Sequence, residues 1–347
     1  MQPVPRLLAS PDKFRGTLDG LAAAAAIGAA GRAAGWDVEE LAVSDGGEGF
    51  LDCFAGRGRV RTTSVQDALG RPVIASWLLL DDGRTAVIET ARAIGLAQVG
   101  GAAANDPLAA SSAGAGQLLA AAVAEGARRL LVGLGGSATT DGGAGALAAL
   151  AALGPRGRLA GVEVVVACDV TTRFLDAART FAPQKGATPA QVALLERRLQ
   201  RMAAELAAMA GFDLSDLPGS GAAGGLAGAF VALGATLVAG FDVVAEALDL
   251  AERVAAADLV ITGEGLLDDQ SFAGKAVGGV AGLAVAAGVR VVAVVGDVDP
   301  GVEVPSGVEV VSLVSLVGER RARDDAAASL TEAVAILLAD QRSDAPD

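Results

Sequence analysis

RLLASPDKFRGTLDGLAAAAAIGAAGRAAGWDVEELAVSDGG, residues 6–47, reads as strand, loop, helix, strand and loop. Its β-rich ends, RLLASPD and VEELAVSDGG, flank the alanine-rich LAAAAAIGAAGRAAGW, and such alternation marks a parallel α/β sheet. Three further β-rich runs stand toward the other end of the chain: DLVITGEG (258–265), VRVVAVVGD (289–297) and VEVVSLV (308–314). The helix-like GGVAGLAVAAG joins the first two of these, and a last helix-like stretch runs from Asp324 to Asp340. The region between the two sets differs in character. It opens with RVRTTSVQDALGRPVIASWLLLDDGRTAVIET (59–90), whose DDG between two β-rich runs predicts a hairpin. It continues through RRLLVGLGG and VEVVVACDV to the helix-like TPAQVALLERRLQRMAAELAAMAG. The expected architecture is α/β: a doubly wound parallel sheet domain built from residues 1–60 plus 251–347, interrupted by an inserted mixed α/β domain at 61–250.

A chain of 347 residues exceeds what one core usually fills, and 52% hydrophobic with 20% charged residues provides for buried cores rather than disorder. The net charge of −14, with no long Lys/Arg run, speaks against nucleic acid or an anionic membrane as partner. Histidine and tyrosine are absent. Their absence removes the commonest general base, the Ser-His-Asp arrangement, His-ligated zinc and a phenolic proton donor, so proton transfer falls to Asp, Glu, Lys or water. Cys53 and Cys168 lie far apart without a CxxC partner, which predicts neither disulfide nor zinc site and fits a reducing cytoplasm. The start, MQPVPRLLASPDKF, lacks the features of a signal peptide. Leu217 to Phe241 is uncharged for 25 residues, but its seven glycines and lack of Lys/Arg flanks predict buried loop and helix rather than a membrane span. The terminal DQRSDAPD reads as a frayed tail.

Ligands of open α/β sheets collect at the carboxyl ends of strands. The residues there are SPDKFRGT, SDGGEG, GLGGSATTDGG, CDVTT and TGEGLLDDQS, nearly all with an acid beside glycine, serine or threonine. The acids Asp12, Asp45, Glu48, Asp141, Asp169, Glu264 and Asp268 would repel one another at such ends unless a divalent cation offset their charge, while turns and caps account for single members. In GGSATTDGGAG, glycines let the backbone approach an anion and a following helix adds its positive end. Ser137, Thr139 and Thr140 can donate to phosphate oxygens there, and Asp141 can either hold a cation or cap the helix. Lys13, Arg15, Lys185 and Lys275 are the nearest cations, with Lys185 and Lys275 equally readable as solvated surface lysines. Arg15 is the best carboxylate fork. The P-loop pattern is missing, since Asp269 stands five residues before Gly274 and alanine follows Lys275. GLGGSA from Gly133 and GSGAAG from Gly219 match dinucleotide spacings, as chance allows in a chain with 47 glycines.

Taken together, SPDKFRGTL, VSDGGEGF, IETARAIGL, GLGGSATTDGGAGALAAL, ACDVT, APQKGAT, PGSGAAGGLAGA and DLVITGEGLLDDQSFAGKAVGGVA resemble the glycerate kinases that use ATP, over nearly the whole chain. The resemblance implies a flavodoxin-like domain interrupted by a second domain, with the active site in the cleft between them. It also implies Mg²⁺-dependent phosphorylation of D-glycerate by ATP, 2-phospho-D-glycerate being the expected product. Residue by residue, it implies that Gly135, Gly136, Ser137, Thr139, Thr140, Gly142 and Gly143, with Lys185 and Lys275, hold the nucleotide, and that Asp141 and Asp169 hold Mg²⁺. Asp45, Gly46, Gly47 and Glu48 would frame the acceptor, Arg15 would pair with its carboxylate, and Asp268 and Gln270 would close the site. Asp12 or Asp45 would accept the hydroxyl proton. The family's pattern has lysine at Arg15 and arginine at Leu266, a different segment after Asp169, and a tyrosine in the loop that reads NDPLAASSAGAGQLL here. These departures leave room for two alternatives: a kinase of the same fold for another small hydroxy acid, and a non-catalytic sensor of metabolite or nucleotide. A small hydroxy acid and ATP are thus the expected partners, with monomer and homodimer both open.

Overall fold

The computed structural model describes residues 4–152, 154, 159–272 and 274–343. It divides into two compact units, Met1–Asp45 with Val244–Asp347, and Gly46–Val243. The divisions fall earlier than the residues near 60 and 250 read from sequence, because the segment after Asp45 already packs on strand ends of the second unit. Gly46 there lies so close to Ala167 that a β-carbon would come within 2.8 Å of that side chain.

With strands and helices numbered along the whole chain, the first unit contains β1 (Arg6–Ala9), β2 (Asp37–Glu40), β9 (Leu259–Thr262), β11 (Arg290–Val295) and β13 (Val308–Ser312). All pair in parallel in the order β13-β11-β9-β1-β2, the flavodoxin-like order when counted within the unit. Side chains alternate across the sheet, as the two-residue period of a strand requires. Val292 and Val294 join the core beneath α1 (Gly20–Ala33) and α13 (Ala326–Ser343), whereas Ala293 and Val295 pack with Val277 of α10 (Ala276–Ala287). Helices thus cover both faces, as a doubly wound sheet requires. Asp19 starts α1 by accepting the Ala22 N–H at 2.7 Å, the role its place before the alanine run suits. A short parallel pair, β10 (Leu266–Leu267) with β12 (Asp297–Val298), flanks this sheet in sequence. The last helix runs past Asp340 to Ser343, and the remainder of the expected tail, 344–347, lies outside the described residues.

The second unit holds β3 (Gly58–Gln66), β4 (Pro72–Leu80), β5 (Thr85–Glu89), β6 (Arg129–Gly133), β7 (Glu163–Ala167) and β8 (Thr236–Val238) in sequential order. The first two pairings are antiparallel and the other three parallel, so the inserted unit is mixed. The expected DDG hairpin joins β4 to β5, and Asp82 fixes it by accepting the N–H groups of Arg84 and Thr85, both at 2.8 Å. Trp77, Ile88, Leu118, Leu130, Val132 and Phe230 form the main core. A second core lies under α6 (Pro189–Ala210), where Leu195, Leu199 and Leu206 meet Phe174. The uncharged stretch from Leu217 folds into a 3-10 turn, the fully buried α7 (Leu226–Ala232), β8 and the start of α8 (Gly240–Ala247). Among the described residues no helix is long and apolar enough to cross a membrane.

Candidate functional site

In the first unit β1 and β9 are the strands between which the order reverses, the crevice where open α/β sheets take ligands. A cavity of about 560 Å³ opens there. Asp12, Lys13 and Arg15 reach it from the loop after β1, Asp45 from the loop after β2, and Glu264, Asp268 and Lys275 from the segment after β9. The backbone keeps sheet-like pairing beyond the strands: Ser10 N–H donates to Ile261 O at 2.8 Å and Asp12 N–H to Gly263 O at 2.9 Å. Asp12 is thereby fixed at the mouth, and its Oδ1 accepts the Lys13 N–H at 2.7 Å. The Lys13 ammonium stands 3.6 Å from Asp12 and 3.8 Å from Asp45, so it serves both acids.

The acids differ in electrostatic surroundings. Burial pushes Asp12 up to about 6; Lys13 opposes that rise and Asp45 adds to it. Burial likewise lifts Glu264 to about 7, opposed by the Ser271 hydroxyl and Lys275 and aided by Asp12 and Asp268. Glu264 Oε1 is buried and has no hydrogen-bond partner among the described residues. Asp268 instead folds its own turn, Oδ1 accepting the N–H groups of Gln270 at 2.9 Å and Ser271 at 3.1 Å. Gln270 then accepts from Lys275 Nζ at 3.0 Å, which steadies that cation at the start of α10. Arg15 is exposed and its guanidinium has no partner among the described residues, so an arriving carboxylate meets an unsatisfied fork. Half-exposed Leu266 lines the same cavity, as do Glu319 and Arg323 of α12 (Glu319–Asp324). Nothing in the sequence pattern pointed to α12, whose charges lie on a short helix rather than at a strand end. Glu264 was legible only as one acid among seven.

The second unit gathers the other expected residues. Gly47 and Gly135 meet so closely that a β-carbon on Gly135 would stand 2.4 Å from the Gly47 Cα, and Gly135 N–H donates to Gly46 O. Glu48 next to them is exposed. The segment is held by Glu89, a residue without an expected role: its buried carboxylate accepts the Leu51 N–H at 3.1 Å, and Arg92 pairs with both Glu89 and Asp52. Beyond Gly136 the loop turns inward. Ser137, Thr139 and Thr140 are buried, and Lys185 donates to Ser137 Oγ at 3.0 Å and to Thr139 O at 2.6 Å. Lys185 is therefore an internal brace rather than the solvated lysine that its sequence allowed. Asn105 braces the loop from another side, donating to Ala138 O and Lys185 O.

Asp141 performs the capping reading. Its Oδ1 accepts the Gly143 N–H, and its Oδ2 accepts from Ser112 N–H, Ser112 Oγ and Gly145 N–H, all within 2.8–3.1 Å. Gly142 and Gly143, at φ 67° and 80°, take a left-handed backbone that opens α4 (Ala144–Ala151). Asp169 accepts the N–H of Gly240 at 2.8 Å and so fixes the start of α8. Both acids expected to hold a metal thus receive backbone donors, and no group of three or more His, Cys, Asp or Glu that could hold a metal gathers among the described residues. The two dinucleotide-like spacings also resolve: GLGGSA is followed by the braced loop rather than a helix, and GSGAAG backs that loop. Gly142 N–H donates to Gly224 O, and a β-carbon on Gly224 would lie 2.1 Å from Thr139 O.

A model of the glycerate kinase family matches residues 7–156 and 154–340. A glycerate kinase of Bacillus subtilis (strain 168) is 38% identical over 326 residues, covering 84% of this chain and 85% of its own. The glycerate 2-kinase of Escherichia coli (strain K12) is 38% identical over 312 residues, 80% of this chain and 82% of its own. A crystal structure assigned to glycerate kinase 2 of Salmonella typhimurium LT2 superposes with a TM-score of 0.84 at 32% identity, covering 98% of this chain and 99% of that one.

Proposed function

This chain belongs to the glycerate kinase family, and from that premise we propose that it transfers the terminal phosphoryl group of ATP to D-glycerate, giving 2-phospho-D-glycerate. The supporting observation is the first unit's cavity, where the exposed Arg15 guanidinium, without a partner among the described residues, stands with acids lifted toward neutrality. Arg15 suits the acceptor's carboxylate, because its planar fork offers two parallel N–H donors. Phosphoryl transfer depends on positioning and charge neutralisation more than on covalent help. Lys13 and Lys275 supply positive charge beside the reacting groups, and a carboxylate with a pKa near the working pH is suited to take the hydroxyl proton. Asp12 and Asp45, the acids expected from the sequence, stand within 4 Å of the Lys13 ammonium and hold it beside the reacting groups. The loop Gly135–Gly143 is proposed as the phosphate cradle, with Lys185 and Asp141 fixing its shape from within. Because Asp141 and Asp169 already receive backbone donors, magnesium is taken to enter with the nucleotide as part of the substrate. The 2-phosphate product is supported by the E. coli relative's assignment as a 2-kinase.

Magnesium-dependent ADP release measured with D-glycerate, L-glycerate, tartronate and no acceptor, followed by phosphorus NMR of the product, tests this reading. Release that requires D-glycerate and yields a phosphate on the secondary oxygen is expected. Absence of acceptor-dependent release from folded, ATP-binding protein would sink it. Arg15 and Leu266 on the cavity wall favour another small hydroxy acid as the second reading; faster turnover of such an acid in the same panel would select it.

A further inference from the structure

We propose that Glu264 is the general base of the reaction, its carboxylate taking the proton of the acceptor hydroxyl; this rests on the kinase reading above. Glu264 follows β9 and lines the cavity, yet its Oε1 is buried and lacks any hydrogen-bond partner among the described residues. A buried acceptor without a donor costs free energy until a donor arrives, and a native protein seldom keeps one without a reason. The hydroxyl of a hydroxy acid is such a donor. The two acids expected to take the proton are already engaged: Asp12 Oδ1 accepts the Lys13 N–H, and the Lys13 ammonium lies within 4 Å of both Asp12 and Asp45. They neutralise and hold Lys13, while Glu264, beside the same cavity, keeps one carboxylate oxygen without a donor among the described residues.

In the step, the acceptor O–H bond breaks and its electron pair forms the new O–P bond. The bond from the γ-phosphorus to the bridging oxygen breaks, its pair leaving on ADP. The proton ends on Glu264 and passes to solvent after the product departs. The charge around Glu264 is mixed. Asp12 and Asp268 favour its protonated form, and Lys275 and the Ser271 hydroxyl favour the carboxylate. Lys13 with Asp45, Arg15, Asp297 after β11 and the Glu319–Arg323 pair of α12 complete the charged wall. Burial is the largest influence and sets the group near 7, so the ionised base becomes more populated as pH rises through neutrality.

The experiment is the pH profile of kcat/KM for D-glycerate at saturating MgATP, in wild type, Glu264→Gln, Glu264→Asp and Asp12→Asn, with circular dichroism to confirm folding. Wild type should climb to a plateau through a limb near pH 7. Glu264→Gln should lose roughly 10²–10⁴-fold in kcat and lose the limb. Its KM for ATP should stay unchanged, and Glu264→Asp should restore a displaced limb. The proposal is overturned if Glu264→Gln keeps the limb, if Asp12→Asn alone abolishes it, or if excess magnesium restores Glu264→Gln, which would make the residue a metal contact. If wild type turns over no acceptor, the kinase reading fails by itself, and calorimetry then decides the fate of Glu264. Preference for D-glycerate over 3-hydroxypropionate that disappears in Glu264→Ala supports hydroxyl recognition by Glu264; equal preference in both proteins, or no binding at all, overturns it.

Discussion

At Lys185 the ammonium is enclosed, donating to Ser137 Oγ and Thr139 O. Burial pushes its pKa down to about 7, against the pull of Asp141 toward the charged form. The folded value lies below the unfolded one, so between about pH 7 and 10.5 the unfolded chain binds more protons and stability climbs as pH rises through that window. Denaturant midpoints between pH 7 and 9 should therefore rise more steeply in wild type than in Lys185→Met; identical slopes would contradict this account. Asp141→Asn keeps one oxygen but puts an amide donor among donors, and is expected to cost about 1–3 kcal/mol of stability. Urea unfolding checks it, and an unchanged midpoint would show that these hydrogen bonds do not hold the helix start. At this scale the sequence was ambiguous for a physical reason. An acid after Thr-Thr and before Gly-Gly is equally suited to a cation and to a helix start; Gly143 takes Oδ1 within the motif, but Ser112, which donates twice to Oδ2, is brought in from 29 residues away.

Elements were more legible where a local pattern carries the signal. The five runs at the chain ends became β1, β2, β9, β11 and β13: the inner three are short apolar runs that end at polar turns, as buried parallel strands require, while β2 and β13 are the partly exposed edges. The two-residue β10 and β12 and the three-residue β8 carry too little periodicity to be read, and they pair only because larger elements bring them together. Helix α6 is the strongest case of a legible start. Thr188 accepts the Gln191 N–H, Gln191 Oε1 accepts the Thr188 N–H at 2.8 Å, and Pro189 occupies the first turn. Thr188→Ala should cost about 1 kcal/mol. A urea midpoint indistinguishable from wild type would show that tertiary packing alone holds this helix end.

For the molecule as a whole, alternation along the chain revealed that an α/β sheet is interrupted, but not where. The boundary at Asp45 falls inside SDGGEG, a motif that reads as one loop in sequence. Gly46–Val243 is continuous and owns the cores around Trp77 and Phe174. It is expected to fold when expressed by itself, with a single cooperative thermal transition; a chain that melts without a transition would show that it depends on the rest.

The central strand of the first unit has a consequence for synthesis. β1 is hydrogen-bonded on one side to β2 and on the other to β9, so its second neighbour leaves the ribosome only after the whole interruption has been made. At 5–20 residues per second the delay between Ala9 and Leu259 is roughly ten to fifty seconds. During that time the nascent Leu7–Ala9 edge is open on one side while the interrupting unit has time to fold. Chaperone shelter or slow aggregation of the nascent chain should therefore act on β1, although it is made long before β9.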